Sequence, residues 1–293
     1  MFKASRSEIR QEFLEGSAIA LDVFDTAIEI IPDILIDDVT REVLGTPIAD
    51  LLGYRYTRFT DQAKPNLLAA VFRQETGEAW QLKIFGEGNG KKSGQYLAPK
   101  GIGDKAYFSP VPDRIARAIA QSHNLTPPGK DETFWEWFLD HPEIPLALTE
   151  GGKKALSVVS LNQPAISLYG CQCGAKNKDE NGIDKPLFLL PELQLYVKGR
   201  RVNIAFDRDL KPSTIKKVES GIYKLAIAIK KAGGHPHVAV WDPKNGKGID
   251  DIHARKGQDF ALAVLDNAIP FDTWEGKNKR DISDITDVTL NGT

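Results

Sequence analysis

Apolar and polar positions follow different patterns in the two halves of the chain. Before about residue 142, breakers at Pro32 and Pro47 predict short helices and loops, and two β-rich runs joined by a turn at 75–78 predict a strand hairpin. From Pro145 onward, short apolar runs alternate with helical patterns. Such alternation is typical of a parallel sheet covered by helices.

The second half contains the clearest elements. The segment from Pro212 to Lys231 repeats apolar residues at spacings of three and four, which predicts an amphipathic helix. We therefore expect an α/β fold, with an N-terminal α+β region in 1–142 that is a candidate for nucleic-acid binding, a parallel sheet with flanking helices in 143–275, and a flexible tail in 276–293. The predicted strands of the sheet are 146–149, 165–169, 202–206 and 237–241.

Composition narrows the class of protein. Hydrophobic residues make up 41% of the chain and charged residues 27%, which is typical of a globular protein. The apolar stretch from Ala18 to Ile36 contains four carboxylates, a number that excludes a membrane-spanning helix there. The N-terminus shows no secretory signal pattern. We therefore expect a cytoplasmic protein with no membrane partner.

Charge is unevenly distributed, although the formal net charge is only −2. Residues 16–50 contain eight acids and one base, whereas residues 198–231 contain ten bases and three acids. A polyanion such as DNA could bind the basic segment. The alternative interpretation is that these lysines only solvate an exposed helix face.

Carboxylates stand where two predicted strands end. Glu150 follows one strand and precedes two glycines, and Asp207 and Asp209 follow a later strand. Residues two apart in an extended segment point to the same side, and α/β sheets bind ligands at the carboxyl ends of their strands. Three converging carboxylates favour a hard cation such as Mg²⁺, which indicates phosphoryl-transfer chemistry. Alternatively, the three carboxylates cap the helices that follow them.

Three segments together resemble a known family. Leu148 to Ala155, Phe206 to Asp209 and Lys247 to Asp251 are similar to the motifs of the Toprim fold of bacterial primases, type IA and type II topoisomerases and some nucleases. The closer resemblance is to a Toprim-like domain of unknown function found in plasmid and phage replication proteins. It covers about residues 143 to 268.

The resemblance implies roles for these residues. Glu150 would be the general acid/base or a metal-linked carboxylate, and Asp207 and Asp209 would bind Mg²⁺, for which Mn²⁺ can substitute. Asp250 and Asp251 begin a predicted helix; we interpret Asp250 as structural and Asp251 as serving both the helix N-terminus and, as a further ligand, the metal. DNA and nucleoside triphosphates would be the substrates. The candidate residues for binding nucleic acid or phosphate are Lys153, Arg208, Lys211, Lys216, Lys217 and Lys247.

One position departs from the family pattern. Toprim primases and topoisomerases usually carry a second acid four residues after the glutamate, and here that position is Lys154. An ammonium group there would lower the number of bound metal ions from two to one, or contact a phosphate, which makes Lys154 a candidate catalytic residue. The alternative for Lys153 and Lys154 is an exposed helix face.

The expected function is primase-like nucleotidyl transfer on a DNA template, for a plasmid or phage replicon and with a helicase as a further partner. A Toprim-type nuclease would use the same carboxylates to activate water. A non-catalytic DNA-binding or assembly module is the third hypothesis, and Lys154 in place of an acid favours it.

Overall fold

A computed structural model describes residues 5–56, 67–86, 95–179 and 181–277, so the expected tail falls almost entirely outside the described residues. None of the helices in these ranges is both long and apolar enough to cross a bilayer. The elements of the N-terminal half are α1 (Arg6–Leu14), α2 (Leu21–Ala27), β1 (Ile28–Pro32), β2 (Leu35–Ile36), β3 (Val43–Gly45), α3 (Pro47–Leu52), β4 (Leu68–Arg73), β5 (Ala79–Phe85), β6 (Gln95–Leu97), α4 (Asp113–Ser122) and α5 (Phe134–Leu139).

The N-terminal half is built on an antiparallel sheet with the strand order β1-β4-β5-β6. The predicted hairpin is confirmed as β4 and β5, in which Ala70 pairs with Lys83. The expectation of only helices and loops in the first fifty residues was wrong for β1, which pairs with β4, and for β2 and β3, which pair with each other. Both faces of β1 are packed, since Ile28 belongs to the core shared with the second sheet and Ile31 to a smaller cluster with Val71 and Leu82.

The C-terminal half forms a five-stranded sheet with the order β13-β12-β11-β7-β8, in which only the edge strand β13 is antiparallel. The predicted parallel sheet is thus confirmed. A second hairpin, β9 and β10, was not predicted. The elements are β7 (Leu146–Glu150), α6 (Gly152–Val159), β8 (Ala165–Leu168), β9 (Ala175–Lys178), β10 (Asp184–Leu189), α7 (Gln194–Val197), β11 (Arg201–Ala205), α8 (Pro212–Lys231), β12 (His235–Val238), α9 (Ile249–Lys256), α10 (Gln258–Asp266) and β13 (Ile269–Pro270).

One hydrophobic core is shared by both halves of the chain. It contains residues from α1 and the N-terminal sheet, such as Phe13 and Phe72, together with residues from the second sheet, such as Leu148 and Ile204. The two halves pack tightly at Gly152, where a Cβ atom would lie 2.6 Å from the ring of Phe72. Glycine at the start of α6 therefore allows the N-terminal sheet to pack directly against the helix that follows Glu150.

A buried arginine joins three segments behind the second sheet. The side chain of Arg200 is only 1% exposed, and its guanidinium lies 3.6 Å from the centre of the Phe138 ring. It donates hydrogen bonds of 2.6–2.7 Å to the carbonyl oxygens of Phe138, His141, Ile144 and Tyr196. Burial lowers its pKa to about 10, so the group is charged at neutral pH. Arg200 thus fixes α5, α7 and the segment leading into β7.

Candidate metal and phosphate site

The two acidic segments follow adjacent strands. β7 and β11 are parallel neighbours, and Thr149 pairs with Ala205. Glu150 and the segment Phe206 to Asp209 therefore leave the sheet at the same edge, the carboxyl edge where open α/β sheets bind ligands.

Glu150 is not used as a helix cap. The N-cap of α6 is Gly151, with φ +85°, and no side chain caps this helix. The positive φ turns the chain sharply between strand and helix, a conformation that glycine adopts without strain. Burial, and after it the negative charge of Asp207, raises the pKa of Glu150 above its usual value. Glu150 is thus a partly desolvated carboxyl group within electrostatic range of Asp207.

Asp207 forms a largely buried ion pair with Lys154. The two side chains are 15% and 19% exposed, and Lys154 Nζ lies 3.1 Å from Asp207 Oδ1. This oxygen is buried and accepts no hydrogen bond of good geometry from the described residues. Burial raises the pKa of Asp207. The pKa of Lys154 is also raised, because the negative charges of Asp207 and Asp250 outweigh the lowering effect of burial. The alternative of an exposed face is therefore wrong for Lys154.

The outer carboxylate oxygens of Asp207 and Asp209 converge on a second lysine. Lys247 Nζ lies 3.6 Å from Asp207 Oδ2 and 3.5 Å from Asp209 Oδ2. The other oxygen of Asp209 accepts a hydrogen bond of 2.9 Å from the backbone N–H of Lys211, just before α8, and this bond holds the pKa of Asp209 below its usual value. One oxygen of Asp209 therefore binds the backbone before α8, as in a capping residue, and its other oxygen faces the ammonium of Lys247.

These residues are suited to hold one divalent ion together with water and phosphate oxygens, rather than to enclose it with protein ligands alone. No three His, Cys, Asp or Glu side chains within the described ranges are arranged so that they could hold a metal ion. However, the ammonium of Lys247 already occupies a point shared by two carboxylates, as a stand-in cation would. Mg²⁺ is usually bound by one or two carboxylates, with waters and substrate phosphates completing its shell. Asp207 and Asp209 meet that requirement.

The loop before α9 brings Asp250, rather than Asp251, toward the ion pair. The Oδ2 atom of Asp251 accepts hydrogen bonds from the backbone N–H groups of Lys247 and Gly248, so Asp251 caps α9. Asp250 is 8% exposed, and a Cβ atom at Gly248 would lie 2.5 Å from its Oδ1 and 3.2 Å from Asp207 Oδ1. The capping half of the role expected for Asp251 is thus present, whereas Asp250, expected to be only structural, lies beside the site.

N-terminal residues support the site from behind. Ser17 Oγ donates a hydrogen bond of 3.2 Å to Asp250 Oδ2. Glu12 on α1 binds the ammonium groups of both Lys83 and Lys153, the latter at 3.0 Å. Lys153, predicted to bind phosphate or to lie on an exposed face, is instead engaged with α1, because it points away from its neighbour Lys154. No local pattern of residues indicates these long-range contacts.

The remaining predicted phosphate ligands lie between residues 208 and 217, on the segment after β11 and the first turns of α8. Lys217 on α8 is close enough to Glu150 to lower its pKa, against the larger effect of burial. Arg208 is tied to the site by its backbone, since its N–H donates to the Lys247 carbonyl oxygen at 2.8 Å. Lys211 and Lys216 are exposed at the start of α8. Their binding to nucleic acid or phosphate stays a prediction.

Replacing Gly248 with alanine tests how tightly the site is packed. Its φ of −109° is accessible to alanine, so the effect is steric: the new Cβ would lie 2.5 Å from Lys154 Cε and from Asp250 Oδ1. We expect a loss of about 1–3 kcal/mol in unfolding free energy, measured in urea. Gly45→Ala is the control, because a Cβ there meets no atom within 4 Å. Equal stability of the two variants would contradict the close packing.

Residues 134–260, a segment that includes every carboxylate of the site, match the family model described as Domain of unknown function (DUF3854). The chain is also 34% identical over 206 residues to an uncharacterized protein of Picosynechococcus sp.. That match covers 68% of this chain and 20% of the relative, so the chain spans about a fifth of the relative's length.

Solved primase structures resemble nearly the whole chain. The Aquifex aeolicus primase, comprising zinc-binding and RNA polymerase domains, superposes with a TM-score of 0.54 and 10% identity over 96% of this chain and 60% of its own. A DnaG catalytic core gives 0.53 and 13% identity over 92% and 75%. The fold is primase-like. Because the likeness extends beyond the second sheet, the N-terminal half belongs to the same resemblance, which the sequence motifs covered only from residue 143.

Proposed function

We propose that the chain is a Mg²⁺-dependent, Toprim-type nucleotidyl transferase that synthesises primers on a DNA template. The observation that carries the proposal is the convergence of Asp207 and Asp209 on one cationic group, the ammonium of Lys247. This point lies at the carboxyl edge of the sheet, where Glu150 also ends its strand. The primase-like fold supports the same reaction class.

The residues of the site divide the work of this reaction. Asp207 and Asp209 would hold the Mg²⁺ ion, which when bound neutralises charge that develops on the transferring phosphoryl group. Glu150 would accept the proton of the attacking hydroxyl, because its raised pKa brings a carboxylate closer to the range suited to a general base. Lys154 holds Asp207 in place. Basic residues around the site would bind the phosphates of triphosphate and template.

The same proposal includes the biological setting. We infer a plasmid or phage replicon, a cytoplasmic location and a helicase as partner, and these rest on the motif resemblance together with the primase-like fold. The basic segment 198–231 supports DNA as the polyanion, because Lys217 of α8 is exposed and lies close enough to Glu150 to affect its pKa.

Primer synthesis by the full chain and its Asp207→Asn variant tests the proposal. With single-stranded DNA, labelled nucleoside triphosphates and Mg²⁺ or Mn²⁺, the wild type should extend chains, and the variant should be slower by about 100-fold or more because it loses a metal ligand. Asp259→Asn, on the exposed surface of α10, is the control and should retain activity.

Other outcomes would select a different function. Shortening of the DNA without added nucleotides would indicate a nuclease that uses the same carboxylates. DNA binding that survives Asp207→Asn, with no metal-dependent turnover in the wild type, would indicate the non-catalytic module. The non-catalytic module is favoured by one observation: Lys154 and Lys247 already neutralise Asp207 and Asp209.

A further inference from the structure

The two lysines beside Asp207 differ in how firmly they are held. Lys154 is 19% exposed and contacts the buried oxygen Oδ1, whereas Lys247 is 56% exposed and contacts the outer oxygen Oδ2. A buried ion pair that loses one partner leaves an uncompensated charge, but an exposed pair is weak and solvent readily replaces it. Lys154 is therefore a permanent counter-ion of Asp207, and Lys247 is one that another cation can replace.

The backbone of Lys247 is fixed although its side chain is exposed. Its N–H donates to Asp251 Oδ2 at 3.0 Å, and its carbonyl oxygen accepts the N–H of Arg208 at 2.8 Å. The second bond ties the α9 loop directly to the segment that carries both carboxylates. If the ammonium group of Lys247 leaves the two carboxylates, it therefore stays within one side-chain length of the site.

We propose that Lys247 is an exchangeable counter-ion of the site. It neutralises Asp207 and Asp209 while no divalent ion is bound, leaves when the ion arrives, and then binds a phosphate oxygen of the metal-bound triphosphate. This inference rests on the proposed function, because it requires the divalent ion to bind at Asp207 and Asp209. It adds that the site exchanges one cation for another and reuses the displaced lysine for the substrate.

The exchange predicts effects of opposite sign for one substitution. In Lys247→Met, Mn²⁺ alone should bind roughly threefold to tenfold more tightly, because a competing cation is gone. Mn²⁺ presented as its complex with inorganic tripolyphosphate should bind roughly tenfold more weakly, because a charged hydrogen-bond donor is gone. Titration of the full chain followed by Mn²⁺ electron paramagnetic resonance measures both affinities without any turnover.

Lys244→Met is the matched control, since it removes the same charge from an exposed position three residues earlier. It should leave the Mn²⁺ affinity within twofold of the wild type, a change smaller than one exposed ion pair of about 1 kcal/mol would produce. If both variants tighten Mn²⁺ binding equally, the effect is general electrostatics and the exchange is overturned.

Two further results separate this inference from its foundation. Asp207→Asn should abolish Mn²⁺ binding, and if it does not, the proposed metal site itself fails. If it does, but Lys247→Met leaves Mn²⁺ affinity unchanged, only the exchange fails. Tighter binding of both Mn²⁺ and its tripolyphosphate complex would show a lysine that merely blocks the ion, which overturns the phosphate contact.

Discussion

Replacing Arg200 with alanine is expected to lower the free energy of unfolding by about 3–5 kcal/mol, the cost of breaking a buried charged network. The substitution leaves four carbonyl oxygens without their donor, two in buried and two in part-buried hydrogen bonds, and removes the guanidinium from the Phe138 ring. Urea unfolding should show a lower midpoint with an unchanged dependence on denaturant.

Two companion variants make the Arg200 result specific. Lys198→Ala, exposed two residues earlier, should leave the midpoint close to that of the wild type. Arg200→Lys keeps the charge but not the planar fork of donors, so it should also be destabilised. A wild-type midpoint in Arg200→Ala would mean that water satisfies the carbonyl oxygens and that the arginine is dispensable.

Replacing Lys154 with methionine should cost about 3 kcal/mol of folding free energy near neutral pH, because it leaves the carboxylate of Asp207 buried without its counter-ion. The double variant Lys154→Met/Asp207→Asn should recover much of that loss, since no buried charge then remains unpaired. Lys153→Met is the neighbouring control and should cost less, because Glu12 keeps its contact with Lys83.

The loss caused by Lys154→Met should depend on pH. Burial already raises the pKa of Asp207, and removing Lys154 raises it further. The native state of the variant then binds a proton more readily than the unfolded chain, so its stability should rise as the pH falls from about 7 to about 5. Unfolding at the two pH values measures this. A loss that is the same at both would assign the effect to packing rather than charge.

Strong local patterns predicted the second half of the chain. The helix from Pro212 to Lys231 begins and ends where its apolar spacing and flanking residues indicate. The short run at 106–108 forms a single antiparallel bridge with the edge strand β8, between Tyr107 and Ser167. The hairpin at 175–189 was missed because β9 is polar and Pro186 lies within the run that forms β10.

Within the site, the sequence predicted which segments meet but not which neighbours face each other. Adjacent residues on a helix point about 100° apart, so the rotation of the helix decides between them. That rotation turns Lys154, not Lys153, toward Asp207, and it turns Asp250, not Asp251, toward the same pair. It is fixed by tertiary packing against the N-terminal half, which no local pattern records.

The close approach of Phe72 to Gly152 means that the start of α6 is shaped by residues far away in the sequence. The chain can be divided in sequence after residue 142, but the hydrophobic core contains residues from both sides of that point. A separate fragment that contains only the second sheet would lack the Phe72 ring, which packs against the turn after Glu150. Structural and biochemical dissection of this protein should therefore begin with the two halves joined.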